Sequence, residues 1–206
     1  MTSTDRSQWP LTPSQQAQYE AIHARLSNIR GRHRPFLLTG DVGVGKTFLA
    51  RRLAAGPVAY YHIAQDYLPP LLSDHQLRDL TPEAVVRFVK GLLEECNAPY
   101  AIADGFEPLL SMWAVERRSV LLNFFVAFGR AILDRPLLVV VQTSADHLPY
   151  DEIRRDEQWP WERRFRLELT LADKQVVAEN WGLDPIRGHV SANLYDLLAV
   201  KFAGEV

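Results

Sequence analysis

The chain has 206 residues, 47% of them hydrophobic and 23% charged, which is enough to bury one full core and suits a single globular domain with a small appendage. A net charge of −2 and a pI near 6.3 exclude long-range steering to nucleic acid by a global basic field, leaving only a local patch for such contact. The lone cysteine, Cys96, excludes an intramolecular disulfide framework and fits a reducing, cytoplasmic setting. Met1 to Gln8 have neither the basic nor the apolar region of a secretory signal.

The apolar region from Val120 to Val141 is broken by Asn123, Arg130, Asp134, Arg135 and Pro136, so no uninterrupted membrane span is expected. The six histidines lack the spacing to cysteines or acids that a zinc site needs.

Along the chain, Thr12-Pro13 marks a helix start, with Thr12 as N-cap and an apolar face through Ala17, Ala21 or Ile22, and Leu26 to Ile29. Arg30 to Pro35 breaks that pattern, and Phe36-Leu37-Leu38 reads as the first buried strand. A helix is predicted from Lys46 to about Ala55, and Gly56-Pro57 then punctuates a second strand over Val58 to Ile63. Pro69-Pro70 and Ser73-Asp74 read as an irregular connection. Thr81-Pro82-Glu83 opens a helix to about Cys96.

Tyr100 to Ala103 is a third apolar strand ending at Asp104, and a long helix is predicted over Ser111 to Leu133. Leu137 to Val141 is an all-apolar fourth strand, as in a sheet covered on both faces. Ser144 to Trp161 reads as a polar loop or short helix, after which Phe165, Leu167 and Leu169 alternate with Arg166 and Glu168 in a fifth strand suited to an edge. Leu171 to Trp181 and Val190 to Phe202 read as two short helices. Alternating strands and helices predict an α/β fold, a parallel five-stranded sheet with right-handed crossovers and helices on both faces. Residues 1–170 would form its core and 171–206 a short helical lid or extension.

Between the first strand and the next helix, Gly40-Asp41-Val42-Gly43-Val44-Gly45-Lys46-Thr47 fits G-x-x-x-x-G-K-[ST] in the strand-then-helix context that a phosphate-binding loop requires. Gly40, Gly43 and Gly45 let backbone N–H groups turn inward at dihedrals a side chain would forbid, making an anion nest. Lys46 supplies a cation toward the β- and γ-phosphates, and the Thr47 hydroxyl is placed to ligate Mg²⁺. A nucleotide is expected across Gly40, Asp41, Val42, Gly43, Val44, Gly45, Lys46, Thr47 and Phe48, where the helix adds its positive dipole end. Asp104 ends a strand at the crevice where open α/β sheets bind ligands and is the candidate for a second Mg²⁺ contact, although a turn or N-cap aspartate also suits that position.

Through the phosphate loop and the order of elements from about Leu11 to Leu169, the chain resembles P-loop ATPases of the AAA/ASCE type. That resemblance implies a catalytic glutamate directly after the strand-end acid, where this sequence has Gly105 instead. Glu107 takes the place of a water-activating acid in the manner of the Asp-Gly-x-Asp pattern of NACHT-type ATPases; a first-turn helix glutamate is the alternative. The same resemblance puts a polar γ-phosphate sensor at Gln142 or Thr143. It also implies an arginine finger at Arg163 or Arg164 just before the fifth strand, where surface arginines paired with acids would look the same.

Ala103-Asp104-Gly105-Phe106-Glu107-Pro108-Leu109-Leu110 also looks like small P-loop proteins of BREX-type phage-defence systems, which implies action beside other defence proteins and on DNA. Leu11 to Gln16 resembles the segment before the loop in some helicases, where a glutamine reads adenine; helix capping explains most of it. Thr143-Ser144-Ala145-Asp146 stands where a guanine-reading [NT]-K-x-D would lie, so ATP is the expected nucleotide.

Three functions fit these residues. The first is an oligomeric ATPase, self-associating and moving or regulating a protein or DNA complex. The second is a small nucleotide or metabolite kinase with Arg154, Arg155, Arg163 and Arg164 closing over phosphorylated ligands. The third is an ATP-binding switch with negligible turnover, consistent with Gly105. Trp159, Trp161, Tyr60 and Tyr61 suit either base stacking or core packing.

Overall fold

The computed structural model describes residues 10–27, 35–41, 43–68, 80–116, 118–142 and 163–180. Val42, Thr143, Arg154, Arg155, Trp159, Trp161 and the helix expected from Val190 lie outside the described residues.

Helix α1 (Pro13–Ser27) opens at a reciprocal capping box. Gln15 N–H donates to Thr12 Oγ1 at 3.3 Å while Gln15 Oε1 accepts Thr12 N–H at 3.1 Å. There follow β1 (Phe36–Thr39), α2 (Lys46–Leu53), β2 (Ala59–His62), a π-helical turn (Ile63–Tyr67), α3 (Pro82–Glu94), β3 (Ala101–Asp104), α4 (Glu107–Glu116), α5 (Arg118–Arg130), β4 (Leu137–Val140), β5 (Arg164–Arg166) and α6 (Leu171–Asn180). Thr81 caps α3 through its hydroxyl, which accepts Ala84 N–H at 3.2 Å.

The five strands are all parallel in the order β2-β3-β4-β1-β5, so β4 stands between β1 and β3, and β5 is an edge. Successive side chains alternate across the sheet. Leu37, Ala101, Ala103, Leu137 and Val139 pack on the face covered by α3, α4 and α5. Phe36, Leu38, Ile102, Leu138 and Val140 pack on the face covered by α1 and α2. Burial on both faces is why β1, β3 and β4 read as unbroken apolar runs. Among the described residues, no helix is long and apolar enough to cross a membrane.

Three expected elements differ. The single helix over Ser111 to Leu133 is two helices, α4 and α5. Trp113 on the first and Phe124 on the second bring their ring centroids to 5.7 Å, whereas one continuous helix would hold those positions about 16 Å apart along its axis. Helix α4 starts earlier than expected because Gly105, at φ 78, turns the chain out of β3 and buries Phe106, whose carbonyl accepts Leu110 N–H at 3.0 Å. Helix α5 ends before Leu133 with Ala131 N–H shared between the Ala127 and Phe128 carbonyls, both at 3.1 Å. The second strand is shorter than Val58 to Ile63: Val58 N–H is taken by Gly56 O at 2.8 Å, and Ile63 enters the π-helical turn. Finally, Arg164 is the first residue of β5 and does not precede it.

Helix α6 is fastened to α1. Asp173 is fully buried, and its Oδ1 accepts Ser14 N–H at 2.8 Å while Oδ2 accepts Thr170 N–H and the Thr170 hydroxyl, both at 2.6 Å. One carboxylate therefore caps two helix starts.

Candidate nucleotide-binding site

The chain leaves β1 at Thr39, whose hydroxyl donates to Phe165 O at 3.2 Å, and enters the loop at Gly40. A Cβ at Gly40 would stand 2.5 Å from Leu167 O and 3.0 Å from Val44 Cγ2, so only glycine lets the loop close against the strand beside it. Gly43 (φ 74) and Gly45 (φ 88) occupy the left-handed region, and Gly45 is the N-cap of α2. The first N–H groups of α2 have no acceptor within the helix, so they and the positive end of its dipole are available to an anion there. Gly40, Asp41, Gly43, Val44, Gly45, Lys46, Thr47 and Phe48 all gather at this end of the sheet; Thr47 is exposed and Phe48 half-buried.

Lys46 is buried, and its Nζ donates to Asp41 O at 2.8 Å. Burial pushes its ammonium below the usual lysine range, and the carboxylates of Glu107, Asp104 and Asp41 oppose that shift. Asp104 is buried at the carboxyl end of β3; its Oδ1 accepts Gly105 N–H at 2.7 Å and its Oδ2 accepts the Tyr60 hydroxyl at 2.9 Å. Burial and the adjoining Asp104 charge hold the Tyr60 hydroxyl far above its usual range, so it stays protonated and donates.

Glu107, in the first turn of α4, has its carboxyl pushed up by burial and by Asp104, while its own backbone N–H, Lys46 and Gln142 N–H pull it back. The structure thus brings Lys46, Asp104, Glu107 and the backbone of Gln142 together at one end of β1, β3 and β4. Arg163 and Arg164 are not gathered there. Arg163 Nη1 donates to Pro35 O at 3.1 Å, and Arg164 pairs in register with Leu37, so both lie toward the amino end of β1 while the loop leaves its carboxyl end.

Three residues at this end make contacts that were not anticipated. Tyr60 holds Asp104, as described. His62 is the register partner of Asp104; its ring lies 2.6 Å from where a Gly105 Cβ would be, and its Nδ1 accepts Gln65 N–H at 3.2 Å. Gln15 is buried and its Nε2 donates to Val44 O at 3.1 Å, inside the loop. The T-x-x-Q spacing announces the helix cap but not this second contact.

A hard divalent cation takes oxygen ligands, and Mg²⁺ in particular is held by one or two side chains completed by phosphate and water. Among the described residues no group of three or more acids, histidines and cysteines can hold a metal unaided. The Thr47 hydroxyl and the Asp104 carboxylate are nevertheless oxygen donors of the right kind, and Asp104 and Glu107 together carry more negative charge than Lys46 offsets. The residues fit Mg²⁺ arriving with a polyphosphate.

A glycine-built loop between β1 and α2, its lysine beside the acid that ends β3, and β4 inserted between those strands in a parallel sheet define a P-loop NTPase fold with an additional central strand. Similar solved structures include the replication initiator DnaA bound to AMPPCP and single-stranded DNA, at 14% identity and TM-score 0.46, the match covering 86% of this chain and 55% of that one. Domain III of the Thermotoga maritima replication initiation protein DnaA matches at 13% identity and TM-score 0.44, covering 84% of this chain and 72% of that chain. C. elegans PCH-2 matches at 14% identity and TM-score 0.38, covering 82% and 44%. This chain spans little more than half the length of the first. No protein-family model matches the chain, and no curated protein matches it.

Proposed function

We propose that the chain binds ATP with Mg²⁺ and hydrolyses it, its nucleotide state driving a mechanical or regulatory change in an oligomeric protein or DNA complex. The observation that carries this reading is the convergence of buried Lys46 with the carboxylates of Asp104 and Glu107 at the mouth of the loop. The loop amides from Gly40 to Phe48 grip the β- and γ-phosphates, and Lys46 exchanges Asp41 O for phosphate oxygen. Thr47 and Asp104 hold Mg²⁺, which when bound draws charge from the γ-phosphate oxygens.

Glu107 takes a proton from the attacking water as its oxygen bonds to the γ-phosphorus and the bond to the β–γ bridging oxygen breaks, leaving ADP and phosphate. A carboxyl held above its ordinary range is matched to proton transfer nearer neutral pH. Gln142 or Thr143 contacts the γ-phosphate, and Arg163 or Arg164 serves the site of a neighbouring copy, since both lie away from the loop of their own chain. The segment from residue 171 onward acts as the lid or extension. The resemblance of Ala103 to Leu110 supports a phage-defence assembly as the setting.

Phosphate release measured with and without DNA tests the reading. Release that requires Lys46 and Glu107 supports an ATPase. Tight binding with no release under any condition turns the reading to an ATP-binding switch, which Gly105 in the place of the usual glutamate favours. Transfer to a small-molecule acceptor would make the chain a kinase.

A further inference from the structure

The contact between Gln15 and the phosphate loop does more than cap a helix. Gln15 is buried, and both ends of its carboxamide have protein partners: Oε1 accepts Thr12 N–H and Nε2 donates to Val44 O, each at 3.1 Å. Described peptide bonds are all trans, so the C=O of Val44 and the N–H of Gly45 point in opposite directions. With Val44 O held toward Gln15, Gly45 N–H faces away from Gln15, and under the nucleotide-binding reading it is one of the amides offered to the phosphates. Gly45 sits at φ 88, and glycine adopts positive and negative φ about equally readily, so the Gly45 side of the Val44–Gly45 peptide offers little resistance to a flip. A flip would turn a carbonyl oxygen toward the bound anion.

The anchor behind Gln15 is firm. It stands in the first turn of α1, where Ser14 N–H is tied to the buried Asp173 of α6 at 2.8 Å. A side chain at Gly45 would collide with Gln15 Nε2, so the amide and the loop are in direct contact.

We propose that Gln15 is a positioning residue that locks the Val44–Gly45 peptide with its N–H facing the phosphates, and so sets affinity for the polyphosphate and not for the base. This rests on the nucleotide-binding reading. The committed carboxamide sets it apart from a glutamine that reads adenine.

The test is calorimetric titration of wild type, Gln15→Glu and Gln15→Met with Mg–ATP and with base-free Mg–tripolyphosphate, alongside amide NMR of Gly45. Gln15→Glu keeps the side-chain shape and the acceptor for Thr12 but loses the donor to Val44. Both variants should weaken ATP and tripolyphosphate by the same factor, roughly ten- to hundredfold, the worth of one well-aimed donor to an anion. The Gly45 amide resonance should shift strongly on adding tripolyphosphate to wild type and much less in Gln15→Glu. Loss confined to ATP would make Gln15 a base reader and overturn the proposal, as would unchanged affinity in the folded variants. Should neither variant fold, a wild-type Gly45 amide indifferent to tripolyphosphate overturns it alone. Wild type that binds neither ligand defeats the nucleotide reading itself, together with this inference.

Discussion

Asp173→Asn should cost about 2 kcal/mol of stability at neutral pH and much less in acid. The carboxylate is fully buried between α1 and α6 and accepts Ser14 N–H, Thr170 N–H and the Thr170 hydroxyl. Burial by itself would raise its pKa, yet these donors from Ser14 and Thr170 prevail and hold it down to about 2 from an ordinary 3.8. At about 1.36 kcal/mol per pH unit, that difference is worth up to about 2.4 kcal/mol above both values, and solvent screening of the part-buried bonds brings it to about 2 kcal/mol or less.

The folded value is the lower one, so the unfolded chain takes up its proton first. The contribution is therefore whole above the ordinary carboxyl range and drains away as pH falls from about 5 toward 2. Asparagine cannot titrate, and it turns an N–H₂ group toward donors that need an acceptor. Urea unfolding of both proteins at pH 7 and near pH 3 reads the effect, with the gap between them closing in acid. Curves that stay parallel across that window, or coincide at pH 7, would refute the reasoning.

Glu107→Gln should keep ATP binding and lose hydrolysis in a phosphate-release assay. Because burial raises the Glu107 carboxyl, wild-type turnover should begin to fall with decreasing pH above its ordinary 4.5; a rate flat down to that value contradicts its role as base. Phe124→Ala should destabilise by about 3 to 5 kcal/mol in thermal or urea unfolding, since Phe124 is fully buried and packs against Phe106, Trp113, Phe125 and Phe128. Arg163→Ala subunits, inactive alone, should regain hydrolysis when mixed with Lys46→Ala subunits that still carry the arginine; mixtures that stay inactive rule out action across a subunit interface.

The loop half of the candidate site was legible because it is local. The motif is a run of consecutive residues from Gly40 to Thr47, and the left-handed dihedrals of Gly43 and Gly45 are ones that only glycine meets cheaply. Asp104 was legible for a similar reason, as the acid at which an apolar strand stops. The supporting contacts were not, because sheet order creates them. Gln15 reaches Val44 across 29 positions, Tyr60 reaches Asp104 across 44, and Ser14 meets Asp173 across 159. Even the T-x-x-D spacing of Thr170 and Asp173 announces a helix start without revealing that the same carboxylate caps a second helix. The merged helix over Ser111 to Leu133 had a comparable cause. Apolar residues run through both α4 and α5, no proline or glycine stands between them, and it is ring contacts such as that of Trp113 with Phe124 that reveal the chain folding back.

Isothermal titration of the full chain with ATP and Mg²⁺, beside Lys46→Ala under the same conditions, bears most directly on whether the loop is a nucleotide site. Wild type should give saturable heat and Lys46→Ala none, because the substitution removes the buried ammonium facing the phosphates. Folded wild type that gives no heat, or a Lys46→Ala protein that binds as tightly, would contradict it.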